Sequence, residues 1–245
     1  MSQRFDTLVN LRDVGGLPIT GGGATRSGVL YRGDALWPDD ALPGGVGSWP
    51  PALVIDLRSD LEIERVNYPW EPGSRYQHHP VHERAIPTDL AEQGNLRDLY
   101  AFLIDHAGDR LAAVVSLVAD DLGGPALVHC SAGKDRTGLV VAALLLAADV
   151  EPEAVIDDYL LTGTNMDNLV RRWQQRAEAS GKRFDSGTSD AGAMTKWLLT
   201  PREAIELAVD RFTGAAGGAR GWLVANGADP AQIEAWRTRI SADRS

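Results

Sequence analysis

The chain has 245 residues, 44% hydrophobic and 24% charged: enough apolar material for one large domain and too much for a disordered chain. Its formal net charge of −10 excludes a general nucleic-acid binder, so any anionic ligand must be drawn in by a local site. One cysteine excludes an internal disulfide, Met1–Asn10 lacks the apolar stretch of a signal peptide, and the longest apolar run, Leu139–Ala148, is too short for a transmembrane segment; a cytoplasmic setting is expected, with non-classical secretion left open.

Taken in chain order, Asn10 to Gly23 is glycine-rich and carries Pro18, which predicts turns and a hairpin before a strand over Val29–Arg32. The Gly/Pro-rich stretch from Leu36 to Pro51 is expected to hold one short helix, which Trp37-Pro38-Asp39 would start. Ala52–Leu57 reads as a buried parallel strand, and residues 75 to 81 as a further strand. His78, His79 and His82 have only Glu83 as a close carboxylate, so they read as strand or surface histidines and no metal site is expected. From Leu96 to Val118 the apolar positions recur at helical spacing, with a break at Gly108. Pro125–His129 gives another buried strand, and Thr137–Ala148, apolar nearly all round, a core helix. A helix over Glu153–Leu161 follows Pro152. Thr200-Pro201-Arg202-Glu203 offers an N-cap, a first-position proline and a capping-box glutamate, and Asp229-Pro230 starts a last helix through Trp236. The basic stretch Arg171, Arg172, Arg176, Lys182 and Arg183 reads as a solvated helix face, with a substrate-facing lid as the sharper alternative. Strands in the first half and helices in the second predict a single α/β domain over 1–245 with a helical C-terminal portion.

The chemistry is concentrated in His129-Cys130-Ser131-Ala132-Gly133-Lys134-Asp135-Arg136-Thr137-Gly138, between a predicted strand and a predicted helix. A loop so placed presents backbone N–H groups at a helix N-terminus, where anions bind. Gly133 lets the loop curl so that Ser131, Ala132, Gly133, Lys134, Asp135 and Arg136 line a phosphate-sized cradle. The planar guanidinium of Arg136 can grip two oxygens of the same phosphate. A helix N-terminus and nearby cations favour the thiolate of a cysteine, which makes Cys130 the candidate nucleophile. Thr137 is placed to donate to the sulfur, and His129 to fix the loop from behind. A lone cysteine is more often a small buried hydrophobe. The joint occurrence of glycine, arginine, threonine and glycine at these offsets by chance is on the order of one in 10⁴.

Cys-x5-Arg followed by Ser/Thr resembles the signature of the cysteine-dependent protein tyrosine phosphatase superfamily. The fuller form here is similar to the bacterial tyrosine-protein phosphatase family of the mycobacterial secreted type, which includes dual-specificity and phosphoinositide-active members. Asn10-Leu11-Arg12-Asp13-Val14-Gly15-Gly16, Leu30-Tyr31-Arg32-Gly33, Val54-Ile55-Asp56-Leu57-Arg58-Ser59 and Asp158-Tyr159-Leu160-Leu161-Thr162 carry the likeness over most of the chain. The resemblance implies a central, mostly parallel sheet flanked by helices. It also implies hydrolysis of phosphate monoesters through a phosphocysteine, without cofactor or metal. The expected substrate is protein phosphotyrosine, whose phenolate, with a pKa of about 10, leaves more easily than a serine alkoxide. Phosphoinositides, with Lys134 on ring phosphates, are the alternative substrate, and a non-catalytic phosphate-binding module is the rival of another class. For the general acid the order is Asp135, then Asp56 with Arg58 as its neighbour; Asp39 matches an acid loop by letters alone, in the wrong place. The segment of about 165–200 is expected to act as a lid over Cys130.

Overall fold

The computed structural model describes residues 6–82, 95–179, 181 and 199–242. Five strands, β1 (Arg12–Asp13), β2 (Leu30–Gly33), β3 (Leu53–Asp56), β4 (Arg75–His78) and β5 (Ala126–His129), form one sheet in the order β1-β2-β5-β3-β4. All neighbours are parallel except β1 against β2, so the sheet is mostly parallel, as expected. Gly33 and Asp56 both pair with His129, and Asp56 also with His78. Four parallel strands therefore end level, and the loops that leave them gather at one end of the sheet, where α/β sheets bind ligands.

β2, β3 and β5 are buried at every position, which explains their continuous apolar runs. Leu30, Leu53, Ile55, Ala126 and Val128 join the main core, whereas Tyr31, Val54 and Leu127 alternate with them on the opposite face. There Ser48 N donates to Tyr31 Oη at 3.2 Å, so the proline-rich segment crosses that face.

Eight helices occur among the described residues: α1 (Asp60–Arg65), α2 (Leu96–His106), α3 (Gly108–Val118), α4 (Asp135–Ala147), α5 (Pro152–Ala179), α6 (Arg202–Thr213), α7 (Gly218–Ala225) and α8 (Pro230–Ile240). α4 is buried along its whole length, as an all-round apolar helix must be. Trp236 of α8 is fully buried and its indole donates to Leu144 O of α4 at 2.8 Å, fastening the last helix to the central one. None of the described helices is long and apolar enough to cross a membrane.

Several expectations need correction. No helix forms over 36–51, where Pro38, Pro43, Pro50 and Pro51 remove donors and only a short turn forms at Pro38-Asp39. α1 and α7 were not foreseen. The predicted helix over Glu153–Leu161 continues to Ala179. Gly163 lies inside it and leaves room for Thr200, whose Oγ1 would stand 2.4 Å from a Cβ at that position. Arg172 is fully buried rather than solvated. It donates to Asp34 at 2.6 Å and pairs with Asp40, which Arg176 also pairs with. Arg171 is exposed, as expected, and Lys182 and Arg183 lie outside the described residues.

Candidate active site

The loop from Cys130 to Lys134 leaves β5 and enters α4. Its carbonyls are tied outward one after another. Cys130 O lies 3.3 Å from His129 Nδ1. Ser131 O accepts from Ala35 N at 3.2 Å. Ala132 O accepts from Asn10 Nδ2 at 2.9 Å. Gly133 O accepts from Arg32 Nη2 at 3.1 Å and more weakly from Asn10, and Lys134 O from Gly138 N at 2.7 Å. The backbone N–H groups of Ser131, Ala132, Gly133, Asp135 and Arg136 donate to nothing among the described residues. Successive free amides at a helix N-terminus form an anion-binding nest.

Gly133 has φ +68°, and a Cβ there would stand 2.3 Å from Gly33 O and 2.9 Å from Asp34 N. The loop lies directly on the end of β2, and only glycine fits. Asn10 is itself held: its N–H donates to Asp34 Oδ1 at 2.9 Å and its Oδ1 accepts from Arg12 at 2.9 Å and from Asn165 at 3.2 Å. Arg12 and Arg32 share the carboxylate of Asp158 on α5. Burial pushes Asp158 up, but the two arginines outweigh it and hold the carboxyl below its usual range. Arg12 is lowered to about 10, chiefly by burial and by Arg32 beside it. Met166 and Leu169 of α5 pack against Ala132 from the other side.

Cys130 is the chain's one thiol and is 2% exposed, at the base of this loop. Arg136 is 4% exposed and points both terminal nitrogens at Glu62, Nη1 to Oε2 at 2.6 Å and Nη2 to Oε1 at 2.7 Å. Its Nε is buried and has no partner among the described residues. The guanidinium edge formed by Nε and the second Nη2 hydrogen is thus unspent and suits a bidentate contact with an oxyanion. Burial alone would lower Arg136; the hydrogen bonds it donates to Glu62 and the charges of Cys130, Glu62 and Asp135 more than offset it and raise it. Glu62 also accepts from Ser131 Oγ at 2.6 Å and caps α1 through Ser59 N at 2.9 Å. Burial pushes this carboxyl up, yet Arg136, Ser131 and Ser59 pull it down to about 2.

The other sequence-selected residues divide. Asp135 Oδ1 accepts from Tyr100 Oη at 2.9 Å and lies 3.6 Å from Lys134 Nζ. Lys134 is wholly buried, donates to Leu199 O at 3.2 Å, and is lowered by burial against the opposing pull of Asp135. Asp56 is 0% exposed and accepts from Arg58 N, Nε and Nη2 and from Tyr76 Oη at 3.0 Å. Burial raises Asp56, but His129 and Arg58 overcome it and hold it well below the carboxylate range. His129 Nε2 lies 3.7 Å from Asp56 Oδ2, and burial lowers the imidazole. Thr137 Oγ1 is buried and without a hydrogen-bond partner among the described residues. Asp39 pairs with Arg176 on α5. His78 and His79 bind the carbonyls of Arg58 and Arg110, each on its own side. Of the proposed lid, residues 165–179 are part of α5 and Leu199 touches Lys134; residue 180 and residues 182–198 lie outside the described residues.

Sequence reasoning assigned no role to Glu62, Asn10, Tyr100 or Tyr159. Glu62 had a signal, since Ser59-Asp60-Leu61-Glu62 spells a capping box directly after a predicted strand. Asn10 and Tyr100 reach the loop only through the tertiary fold and leave no local trace.

A parallel sheet whose middle strand runs into a Cys-x5-Arg nest at the head of a buried helix defines the class of cysteine-dependent phosphatases. The chain belongs to the tyrosine phosphatase family, whose model matches residues 3–242. It is 30% identical over 166 residues to a Cupriavidus necator protein named "Putative tyrosine-protein phosphatase", covering 64% of this chain and 61% of that one. It is 40% identical over 76 residues to the triple specificity protein phosphatase PtpB of Mycobacterium tuberculosis, covering 31% of this chain and 26% of the relative. To a tyrosine-protein phosphatase of Nostoc commune it is 24% identical over 147 residues, 60% of this chain and 49% of the relative. The matches thus span less than two thirds of each of these relatives.

Proposed function

We propose that this chain is a protein-tyrosine phosphatase that hydrolyses phosphate monoesters, chiefly protein phosphotyrosine, through a phosphocysteine on Cys130. The observation that carries the reading is the nest: every carbonyl from Cys130 to Lys134 is tied away, while the amides of Ser131, Ala132, Gly133, Asp135 and Arg136 and the Arg136 Nε have no partner among the described residues, beside the single thiol. The Cys130 sulfur attacks phosphorus as the P–O bond to the phenol breaks, and the phenolate takes a proton from Asp135. Water then attacks the phosphocysteine, gives its proton back to Asp135, and the sulfur leaves with Thr137 Oγ1 as its hydrogen-bond donor. The amides and Arg136 stabilise the charge on the equatorial oxygens.

Asp135 is preferred to Asp56 because every approach to the Asp56 carboxylate is taken by donors that keep it ionised. Phosphotyrosine is preferred to phosphoinositide because the Lys134 ammonium is turned inward onto Leu199 O and Asp135. The chain is read as one phosphatase domain, 1–245, with about 165–200 as its lid, working in a reducing cytoplasmic setting that keeps Cys130 free. The test is turnover of phosphotyrosine peptides and phosphoinositides by the wild type and Cys130→Ser. Peptide turnover by the wild type, and none by the serine variant with orthovanadate binding kept, is expected. Residual turnover above a few per cent in Cys130→Ser overturns the nucleophile assignment, and faster lipid turnover overturns the substrate preference.

A further inference from the structure

Behind Asp135 stands a pair of buried tyrosines that the reaction above does not use. Tyr100 on α2 and Tyr159 on α5 are both essentially unexposed, with their hydroxyls 2.6 Å apart. Tyr100 Oη lies 2.9 Å from Asp135 Oδ1. Gly138 makes room for this arrangement, since a Cβ there would press on the Tyr159 ring at 3.0 Å.

Proton counting fixes the direction of the chain. A carboxylate only accepts, so Tyr100 must donate to Oδ1, and its oxygen must then accept from Tyr159. Among the described residues Tyr159 Oη has no other partner, and Asp135 Oδ2 accepts no hydrogen bond. Suppose Asp135 is protonated on Oδ1 instead. Tyr100 would then have to turn its hydrogen to Tyr159, whose own hydrogen would be left buried without an acceptor. That penalty disfavours the Oδ1-protonated form by about tenfold or more. Lys134 Nζ, 3.6 Å from Oδ1, disfavours it further.

We propose that Tyr100, held in its donor orientation by Tyr159, is a positioning residue that confines the acid proton of Asp135 to Oδ2, the oxygen left open for the leaving group. The inference rests on Asp135 being the general acid. The charged and titratable groups around this carboxyl are Lys134 and Arg136 from the loop and helix start, Cys130 below, and the two tyrosines; Arg32 and Glu203 act on it through Tyr159. Burial, reinforced by Asp135 and Tyr159, raises Tyr100 well above the usual phenol value, so its proton stays in place throughout the working range.

The test measures kcat against pH for phenyl phosphate, a poor leaving group, and a nitrophenyl phosphate, a good one. Tyr100→Phe removes a donor to the carboxylate. The alkaline fall in kcat should move up by about one pH unit, and phenyl phosphate turnover should drop about tenfold with the nitrophenyl ester changed less than about twofold. Fluorotyrosine in place of Tyr100 keeps the shape but donates more strongly, so the limb should move down in pH. Equal losses on both substrates with the limb unmoved would make Tyr100 a mere brace and overturn the proposal. If Tyr100→Phe fails to fold, the fluorotyrosine protein decides alone, and an unmoved limb there overturns it. Asp135→Asn separates the layers. A wild type active on both esters with an unaffected Asp135→Asn sinks the acid assignment and this inference together, whereas a wild type inactive on both sinks the phosphatase reading itself.

Discussion

Glu62 allows a stability effect to be worked out. Replacing it by glutamine keeps the shape but leaves Arg136 buried beside a neutral group, with one amide hydrogen facing a donor. The fall of the carboxyl from 4.5 to about 2 corresponds, at about 1.4 kcal/mol per pKa unit, to about 3 kcal/mol of folding stability at neutral pH. The upward push on Arg136 is the same interaction seen from the other partner and is not added. The amide retains part of the bonding, so Glu62→Gln should cost about 2–3 kcal/mol at pH 7, a drop in Tm of about 5–10 °C. The sign with pH follows from a depressed carboxyl: the contribution is whole above the unfolded value of 4.5 and is lost as pH falls towards 2. Proton linkage leaves about 1.4 kcal/mol of it at pH 3. Calorimetric melts of both proteins at pH 7 and pH 3 should therefore show a gap that at least halves in acid. A gap equal at the two pH values, or absent at pH 7, refutes the argument.

Two further substitutions probe the cradle. Arg136→Lys keeps the charge but loses both the two-point contact with Glu62 and the Nε edge, so kcat should fall about 10²-fold or more with a smaller rise in KM, read by steady-state kinetics on a phosphotyrosine peptide. Near-normal kcat would mean that a point charge suffices. Gly133→Ala puts a methyl group 2.3 Å from Gly33 O at φ +68°, and should cost about 2 kcal/mol or more in denaturant melts and abolish orthovanadate binding; an unchanged midpoint would show that the loop can move off β2.

What the sequence revealed was whatever chemistry requires to be local. Cys130, Gly133 and Arg136 must share one short loop, so their offsets carry the message, and the apolar runs on either side place that loop at a strand end. Side chains that act across the fold gave little or nothing. Asn10 supports Ala132 O from the other end of the chain, and an asparagine in a glycine-rich turn looks the same with or without that duty. Arg172 was read as solvated because a cation on a helix gives the same pattern whether it faces water or two buried carboxylates, and Asp34 and Asp40 lie far away in sequence. α1 was missed through its length alone, since a six-residue helix shows no periodicity and only its capping box announces it.

On the proposed reading the cradle draws an anion into a chain of net charge −10, and among the described residues the cations named at its wall each have a carboxylate partner, Arg12 and Arg32 sharing one. Arg136 is balanced by Glu62, Lys134 lies beside Asp135, Arg12 and Arg32 surround Asp158, and Arg172 meets Asp34 and Asp40. The field felt by a phosphate is therefore mainly that of oriented amides at the head of α4, which cost nothing to reorganise because their carbonyls are already tied down. A dianion entering a site whose cations are already paired is favoured when one nearby carboxylate takes up a proton and leaves its cation exposed. Glu62 and Asp158 are held low by arginines and Asp56 by His129 and Arg58, so they stay ionised. Asp135 lies 3.6 Å from Lys134 Nζ and accepts from the Tyr100 phenol at 2.9 Å, and it is the carboxylate to which the proposed mechanism gives the proton. Under the proposed mechanism, binding and the loading of the acid become one event: the phosphate that needs a proton for its leaving group helps place that proton on Asp135.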